Sequence, residues 1–331
     1  MREEDMRCGK YIDEKQEVHR KCTEELVKRS RDFVTVPCPA CGEEKWDKSF
    51  DKGGFQFVTC QKCETTYINP RPTFDMLMDY QKASHEASRI WVEKIYPLSE
   101  ETRRQYIFKP RAQKVVDMAK KYNCSMGKIV DVGAGYGTFG EELVNLNIFD
   151  EVAVVESGAL TAKSCRNKGL NVIEMPIEEA NLKNVDIITN FELIEHLFNP
   201  REFILSCKKS LSKKGLFVLT TPNSKGFDVF MLGSLSGVFQ GPLHLNYFHP
   251  DSIRYLLENC GFEVVEVRTP GLLDAELVRK RILSGELNVD NSPFMKKVLV
   301  EEWDELGEKF QKFLADNGLS SHMMAVAKNV G

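Results

Sequence analysis

An α/β chain with a mostly parallel sheet, preceded by a small metal-stapled module, is the fold class that three observations predict. Short apolar runs alternate with helical or loop segments from residue 128 to 220. A glycine turn, Gly133-x-Gly135-x-Gly137, stands between the first such run and a helix. Two Cys-x-x-Cys pairs lie upstream, at Cys38/Cys41 and Cys60/Cys63. Alternating strands and helices imply parallel strands covered on both faces, because each crossover lays a helix on the sheet.

The elements follow in order. Residues 1–32 are rich in Glu, Lys and Arg and read as a solvated helix with little to bury. No function attaches to them. Residues 33–72 hold the cysteine pairs, separated by residues 42–59. Each pair forms a knuckle that aims two thiolates at one ion, and two knuckles complete a tetrahedron suited to Zn²⁺. Phe55–Thr59 alternates as a strand after a turn at Asp51–Gly54. The reading is a zinc ribbon ligated by Cys38, Cys41, Cys60 and Cys63. Four thiolates close the shell, so this zinc holds a fold and does no chemistry. A redox dithiol would leave one pair unexplained. Tyr67–Pro72 exits the ribbon through two prolines as a rigid corner. Residues 73–127 form a helical bridge, with Phe74, Leu77, Met78, Ile90, Trp91 and Ile95 on its apolar faces.

The domain at 128–331 begins with the strand Lys128–Val132. Gly133, Gly135 and Gly137 let the backbone pass close beneath a ligand, where a Cβ would collide or strain the turn. The next run, Val152–Val155, ends on Glu156, and an acid at the tip of a second strand accepts ribose hydroxyls. Further strands are read at Asn171–Met175, Val185–Thr189 and Gly215–Thr220. The fourth of these strands delivers Asn190 to His196 to the sheet's carboxyl edge, where open parallel sheets place their sites. Residues 224–250 form a long loop carrying Phe227, Phe230, Met231, Leu232, Leu235, Val238 and Phe239. So much apolar surface predicts a flap over a pocket, or a dimer or membrane-proximal contact. A helix follows at Ile253–Asn259, a sixth strand at Gly261–Val267, helices at 272–284 and 293–316, and a final strand at 320–328. The pair spanning 272–316 is an insertion that lines the pocket or builds a homodimer.

Several of these stretches carry a resemblance. Val130-Asp-Val-Gly-Ala-Gly-Tyr-Gly137 resembles motif I of class I S-adenosylmethionine-dependent methyltransferases. The Gly-x-Gly-x-x-Gly of dinucleotide enzymes is absent, since position 138 is Thr. Phe191-Glu-Leu-Ile-Glu-His-Leu-Phe-Asn-Pro200 is similar to the Glu-His stretch after that family's fourth strand. Leu243–Ile253 is similar to its loop before the last main helix. Cys-x-x-Cys followed by Asn-Pro-Arg-Pro72 resembles the ribbon of a subgroup that modifies sugars, nucleotide-linked sugars and small metabolites. The resemblance implies a Rossmann-like seven-stranded sheet with its last strand antiparallel. It also implies S-adenosylmethionine as cofactor, with leading helices near 73–127 closing over it, so that Tyr106 and Arg111 approach its carboxylate.

Residue by residue, the resemblance puts Asp131 near the cofactor's ammonium end, Glu156 on the ribose, Ile177 against the adenine and Glu178 near its amino edge. Asn190 is a further cofactor-contact candidate. His196, His244 and Tyr247 are the candidate catalytic residues, with His196 suited by its ordinary pKa near 6.5 to take a proton from an acceptor hydroxyl. His249 reads as a turn or capping residue and His322 as structural. The implied reaction is O-methylation of a sugar, nucleotide-linked sugar or other small hydroxylated metabolite. N- or C-methylation of a small molecule, an RNA or protein methyltransferase, a non-catalytic ribbon-bearing protein and an NAD-linked oxidoreductase are the alternatives. No divalent-metal pair for catechol-type chemistry is evident in the sequence.

Composition sets the outer limits. The 331 residues contain 42% hydrophobic side chains and a net charge of −4. That suits a domain of ordinary size plus an accessory module, and gives no strong nucleic-acid signal. No apolar run approaches a membrane span, and the first residues lack a signal-peptide core. Ten cysteines, six of them scattered (Cys8, Cys22, Cys124, Cys165, Cys207, Cys260), favour a reducing compartment, and a cytoplasmic protein is expected.

Overall fold

The computed structural model describes residues 11–331. The first ten residues of the charged extension, Cys8 among them, lie outside the described residues. Eleven strands are described: β1 (Trp46–Lys52), β2 (Phe55–Cys60), β3 (Thr66–Ile68), β4 (Lys128–Val132), β5 (Glu151–Val155), β6 (Asn171–Ile173), β7 (Val185–Phe191), β8 (Leu211–Pro222), β9 (Asn246–Tyr247), β10 (Phe262–Arg268) and β11 (His322–Asn329). They form a seven-stranded sheet in the order β10-β11-β8-β7-β4-β5-β6 and a four-stranded sheet in the order β1-β2-β3-β9.

In the large sheet β4 pairs parallel with both β5 and β7, β5 with β6 and β7 with β8, while β11 is antiparallel to both its neighbours. The chain therefore leaves β4 in one direction and returns to its other side as β7. The crevice at that reversal is where open α/β sheets bind ligands. Side chains alternate across the sheet, so neighbours enter different cores. Val130, Ile188, Phe217 and Leu219 face Phe203, Ile204, Leu256 and Leu257. Ile129, Ile187, Leu216 and Val218 face Val115, Met118, Phe139 and Leu143. This is the class I methyltransferase architecture that the sequence predicts.

The cysteine module packs on the large sheet. β9 comes from the loop before the last main helix, and its Tyr247 and Asn246 pair with Thr66 and Tyr67 of β3. Cys38, Cys60, Val58 and Tyr67 belong to the same apolar cluster as the large sheet. The N-terminal segment departs from expectation. Ile12–Lys28 is a helix whose Leu26 is buried, with Cys22 and Val27 against Phe55, Phe57 and Tyr80. Charge pairs such as Arg20 with Glu17 and Glu24 occupy its outer face, which is why the segment reads as solvated.

The apolar loop 224–250 is used within the chain. Phe227–Leu232 is a helix, and Phe227 and Leu232 are buried against Ala275, Val278, Val298, Leu299 and Leu314 of the 272–316 insertion. Phe239 and Leu245 enter the ribbon cluster instead. Among the described residues, no helix is long and apolar enough to cross a membrane.

Candidate functional site

The crevice at the β4–β7 reversal is shaped first by glycine. Gly133, Gly135 and Gly137 all have positive φ, at 79°, 55° and 85°. An added Cβ would meet different things at each. At Gly133 it would stand 2.7 Å from Leu193, and at Gly137 3.1 Å from the Cα of Cys165. At Gly135 it would meet nothing within 4 Å. So Gly133 and Gly137 are demanded by the chain's own packing, and Gly135 alone faces open space.

Around that space stand polar groups aimed inward. Glu156 accepts hydrogen bonds from the N–H of Gly135 and of Gly158, both at 2.8 Å. That fixes its carboxylate at the loop with lone pairs to spare. Asn190 is fully buried, and its Nδ2 donates to the Val132 carbonyl at 3.0 Å. Its Oδ1 is buried with no partner, an acceptor that lacks a donor. Asp131 accepts from the Thr189 hydroxyl at 2.6 Å. Burial pushes its carboxyl up to about 7, against the opposing pull of Thr189 and the nearby Arg111. Arg111 lies 4.5 Å over the Phe191 ring, close to Asp131 and Glu192, and loss of solvent lowers its own pKa. Tyr106 is half exposed and lines, with Arg111 and His322, a 490 Å³ cavity beside the crevice. Ile177 packs into the main core and Glu178 projects to solvent. The helical bridge caps the glycine loop: Tyr96 stacks on Tyr136 at 4.2 Å and donates to Thr138 at 3.0 Å, and Arg104 bonds Glu141 and Glu142.

A second space, a cleft of 1260 Å³, opens next to it. His19 and Thr23 of the N-terminal helix wall it, with Trp91, Glu192, His244 and Arg281. His244 lines it, and the His196 ring stands edge-on to that of His244 with centroids 4.6 Å apart. His196 Nδ1 lies 2.7 Å from the Leu243 carbonyl, and His244 Nδ1 lies 3.1 Å from the Val238 carbonyl. A carbonyl only accepts, so each Nδ1 carries the proton and each Nε2 keeps a bare lone pair. Burial lowers the pKa of both rings, that of His244 to about 4 with His196 adding to the effect. Both are therefore neutral at pH 7. Glu195 is buried and accepts from Thr221 at 2.8 Å. Burial and the neighbouring Glu192 raise its pKa well above the usual range. Glu192 is also desolvated, but His322 and Arg111 outweigh that and hold its pKa down. His322 bonds it at 2.7 Å, so this histidine stands at the site rather than in a purely structural place.

Tyr247 is not brought to the cleft. It is buried among Phe57 and Phe239, its hydroxyl donates to the His244 carbonyl at 2.8 Å, and it accepts from the Gln240 N–H. It holds the His244 loop. His249 is the N-cap of the helix Pro250–Asn259, as the sequence implies, and its Nε2 also reaches the Cys63 carbonyl at 2.9 Å.

Two positioning residues escape sequence reasoning. Arg71 is buried and donates to the Phe198 carbonyl at 2.6 Å and to Asn246 Oδ1 at 3.2 Å. Asn246 donates to the Leu197 carbonyl at 2.8 Å. Together they pin the loop after Glu195 and His196 to the ribbon's exit and to β9. Only the Asn-Pro-Arg-Pro turn hinted at Arg71. In the ribbon itself the four thiols of Cys38, Cys41, Cys60 and Cys63 lie within 4.8 Å of one another. The pairs Cys38–Cys63 and Cys41–Cys60 are 3.4 Å apart. A tetrahedral Zn²⁺ with bonds near 2.3 Å has sulfur–sulfur edges of about 3.8 Å, so this donor set fits it.

A family model described as a methyltransferase domain matches residues 100–267. A probable S-adenosylmethionine-dependent methyltransferase of Mycolicibacterium smegmatis is 28% identical over 162 residues, which cover 46% of this chain and 59% of that protein. The match thus spans less than two thirds of that relative's length. A ubiquinone biosynthesis O-methyltransferase of Rickettsia bellii is 28% identical over 183 residues, covering 51% of this chain and 75% of its own. The crystal structure of a SAM-dependent methyltransferase from Archaeoglobus fulgidus overlaps 70% of this chain and 99% of its own, with 20% identity and a TM-score of 0.46.

Proposed function

The chain belongs to the methyltransferase-domain family, and we propose that it is an S-adenosylmethionine-dependent enzyme that O-methylates a small hydroxylated metabolite. The observation that carries this reading is the adjacency of two spaces. A glycine-turn crevice bearing Glu156, Asp131 and the unpartnered Asn190 Oδ1 adjoins a cleft where His196 and His244 present basic nitrogens.

The residues fit the cofactor. Asn190 Oδ1 and Asp131 offer acceptors to an ammonium group, Glu156 offers its remaining lone pairs to ribose hydroxyls, and the open side of Gly135 leaves room for the ligand. Ile177 and Glu178 belong to the adenine end in this reading. Bound S-adenosylmethionine supplies a methyl group on a good leaving group. The chain must then orient the acceptor, exclude water and manage one proton. In this reading the neutral imidazoles of His196 and His244 flank the acceptor oxygen, and Tyr247, bonded to the His244 carbonyl, positions the second of them. Oxygen acceptance is favoured over nitrogen because an amine needs less help with its proton, whereas two rings with bare Nε2 atoms supply that help. A relative named for O-methylation in ubiquinone biosynthesis supports the same choice.

Within hydroxylated metabolites we favour a sugar carried on a nucleotide. The cleft is large, and Lys15, Arg20, Lys52, Arg103 and Arg281 outnumber Glu24 and Glu192 along it, which suits an anionic diphosphate. We assign structural Zn²⁺ to Cys38, Cys41, Cys60 and Cys63. The layout we propose has the ribbon at 33–72, the bridge and lid at 73–127, and the catalytic domain at 128–331.

The test is calorimetric titration with S-adenosylmethionine and with NAD, on the wild type and on Glu156→Ala. Saturable binding of the first, weakened at least tenfold by the substitution and absent for NAD, is expected. Radiolabelled methyl transfer onto a panel led by nucleotide-linked sugars then identifies the acceptor. A folded, zinc-loaded chain that binds no S-adenosylmethionine refutes the reading.

A further inference from the structure

The acceptor cleft contains an arrangement that hydrogen bonding alone does not explain. Glu195, His196 and His244 each offer one ligand-type atom, and these atoms all lie within 4.8 Å of one another. Both histidines are fixed through Nδ1 to backbone carbonyls, at Leu243 and Val238, so Nε2 is unprotonated on both. Backbone carbonyls hold metal-ligating histidines in this way, setting the tautomer and the ring's direction. Glu195 is oriented likewise, by the Thr221 hydroxyl on Oε2, which leaves Oε1 toward His196. Glu195 Oε1 and His196 Nε2 are 3.9 Å apart, beyond hydrogen-bond reach.

A carboxylate and two imidazole lone pairs that face one another repel, unless a positive charge lies between them. Glu192 adds to the negative field from the next turn of chain, with Arg111 and His322 engaged on its side rather than at Glu195. Two occupants resolve the repulsion: a proton on Glu195, or a cation.

We propose that Glu195, His196 and His244 bind a divalent first-row transition cation that holds the acceptor hydroxyl. This deepens the proposed O-methylation and rests on that reading for its role, though not for the binding itself. Bonds of about 2.1 Å to nitrogen and oxygen require ligand atoms about 3–3.5 Å apart. The observed atoms need to close by roughly an ångström, a movement of side-chain tips. Three protein ligands on one side leave positions open toward the cleft, the mark of a site that takes substrate rather than one that only holds a fold. His196 is 38% exposed. An acceptor hydroxyl bound there loses its proton to solvent more readily, because the cation stabilises the oxygen's negative charge. The two histidines then act as ligands, and neither has to take the proton. This revises the sequence reading, which saw no divalent-metal chemistry at the acceptor, for a reason of topology. His244 lies 48 residues after His196 in the chain, and the loop that carries it is brought back by β9.

Mn²⁺ is the probe, because a hard cation avoids the thiolates of the ribbon, which are filled with Zn²⁺ beforehand. Electron paramagnetic resonance of free Mn²⁺ counts bound ions in wild type, His244→Ala and Glu195→Gln. The second variant keeps the volume and the Thr221 contact, so it guards against collapse of the first. One Mn²⁺ per wild-type chain is expected, with affinity at least tenfold weaker in both variants and unchanged S-adenosylmethionine binding by calorimetry. Absence of bound Mn²⁺, or equal affinity in all three proteins, overturns the cation site. If S-adenosylmethionine still binds in that case, the methyltransferase reading stands without the cation and Glu195 holds a proton. If Mn²⁺ binds as expected but S-adenosylmethionine does not, the site stands and the enzymatic reading fails.

Discussion

In the cofactor crevice, Asp131, Gly133, Gly135, Glu156 and Asn190 stand at the ends of three neighbouring parallel strands. Their positions follow from strand pairing alone: Asp131 lies beside Val154 in β5 and beside Thr189 in β7. In the acceptor cleft, the walls come from residues 12–28, 52–54, 80–103, 192, 237–244 and 281. No single sheet orders them. They are held by β9 joining the ribbon sheet, by Arg71, and by apolar clusters that mix distant segments. The crevice is thus a local product of one motif, and the cleft is a joint product of the ribbon and the insertion. The four-cysteine cluster is thereby tied to the cleft proposed for the acceptor.

Removing that zinc should break the two regions apart, and it carries the largest expected effect. Structural zinc sites contribute on the order of 10 kcal/mol, comparable with the whole stability of a domain. Chelation, or Cys60→Ser, should speed hydrogen exchange across β1–β3 and across 243–250 together. Exchange in β4, β5 and β7 should stay slow. Continued protection of 243–250 without zinc would show that the ribbon does not hold the cleft.

Arg71→Ala is the narrower form of the same test. It removes two charge-assisted hydrogen bonds to buried acceptors, at about 1.5–3 kcal/mol each, and should lower the unfolding free energy by roughly 3 kcal/mol in denaturant titration. Arg71→Met keeps the buried apolar stem, though not the guanidinium over Phe198, and should recover part of that loss. Exchange at 195–198 should rise in both, with S-adenosylmethionine affinity within threefold of wild type. A large fall in that affinity would mean that the crevice depends on the cleft after all.

How much was legible follows from the same contrast. The glycine run, Glu156 and the alternating apolar strands are contiguous signals, so the large sheet and its crevice could be read from residue order. The cysteine pairs gave the ribbon for the same reason. Arg71, Asn246 and the buried face of the N-terminal helix were missed because their partners lie far away in sequence. Arg71 reads as a surface charge until Phe198 and Asn246 are beside it. Tyr247 was expected at the site because it neighbours His244 in sequence. Residues three apart in an extended segment fall on opposite sides, and Tyr247 faces the ribbon cluster.

The glycines offer a smaller and sharper comparison inside the crevice. Gly137→Ala meets the backbone of Cys165 at a φ of 85° and should cost about 2 kcal/mol of stability. Gly135→Ala bears only the left-handed strain, about 1 kcal/mol, since nothing of the chain lies near its Cβ. That Cβ would project into the ligand's space. The expected order by thermal melting is Gly137→Ala below Gly135→Ala, and the order of S-adenosylmethionine affinity is the reverse. Matching orders would place the ligand elsewhere.

The smallest expected effect is a pH dependence confined to the crevice. Burial raises the Asp131 pKa to about 7, while the unfolded chain ionises it near 3.9. The folded state therefore holds this proton more tightly. The stability it lends is complete below about pH 4 and is lost as pH rises to about 7. An ammonium group placed beside Asp131 favours the ionised form and pulls its pKa back down. Binding of S-adenosylmethionine at pH 6 should therefore release close to one proton, seen as a dependence of the calorimetric heat on buffer ionisation enthalpy. Affinity should strengthen by up to tenfold per unit between about pH 5 and 7 and then level off. Asp131→Asn should remove both the proton release and the slope. His244 sits below this range already, at about 4, so it contributes no slope of its own. A pH-independent affinity would separate Asp131 from the ammonium and leave Asn190 as the acceptor that the crevice provides.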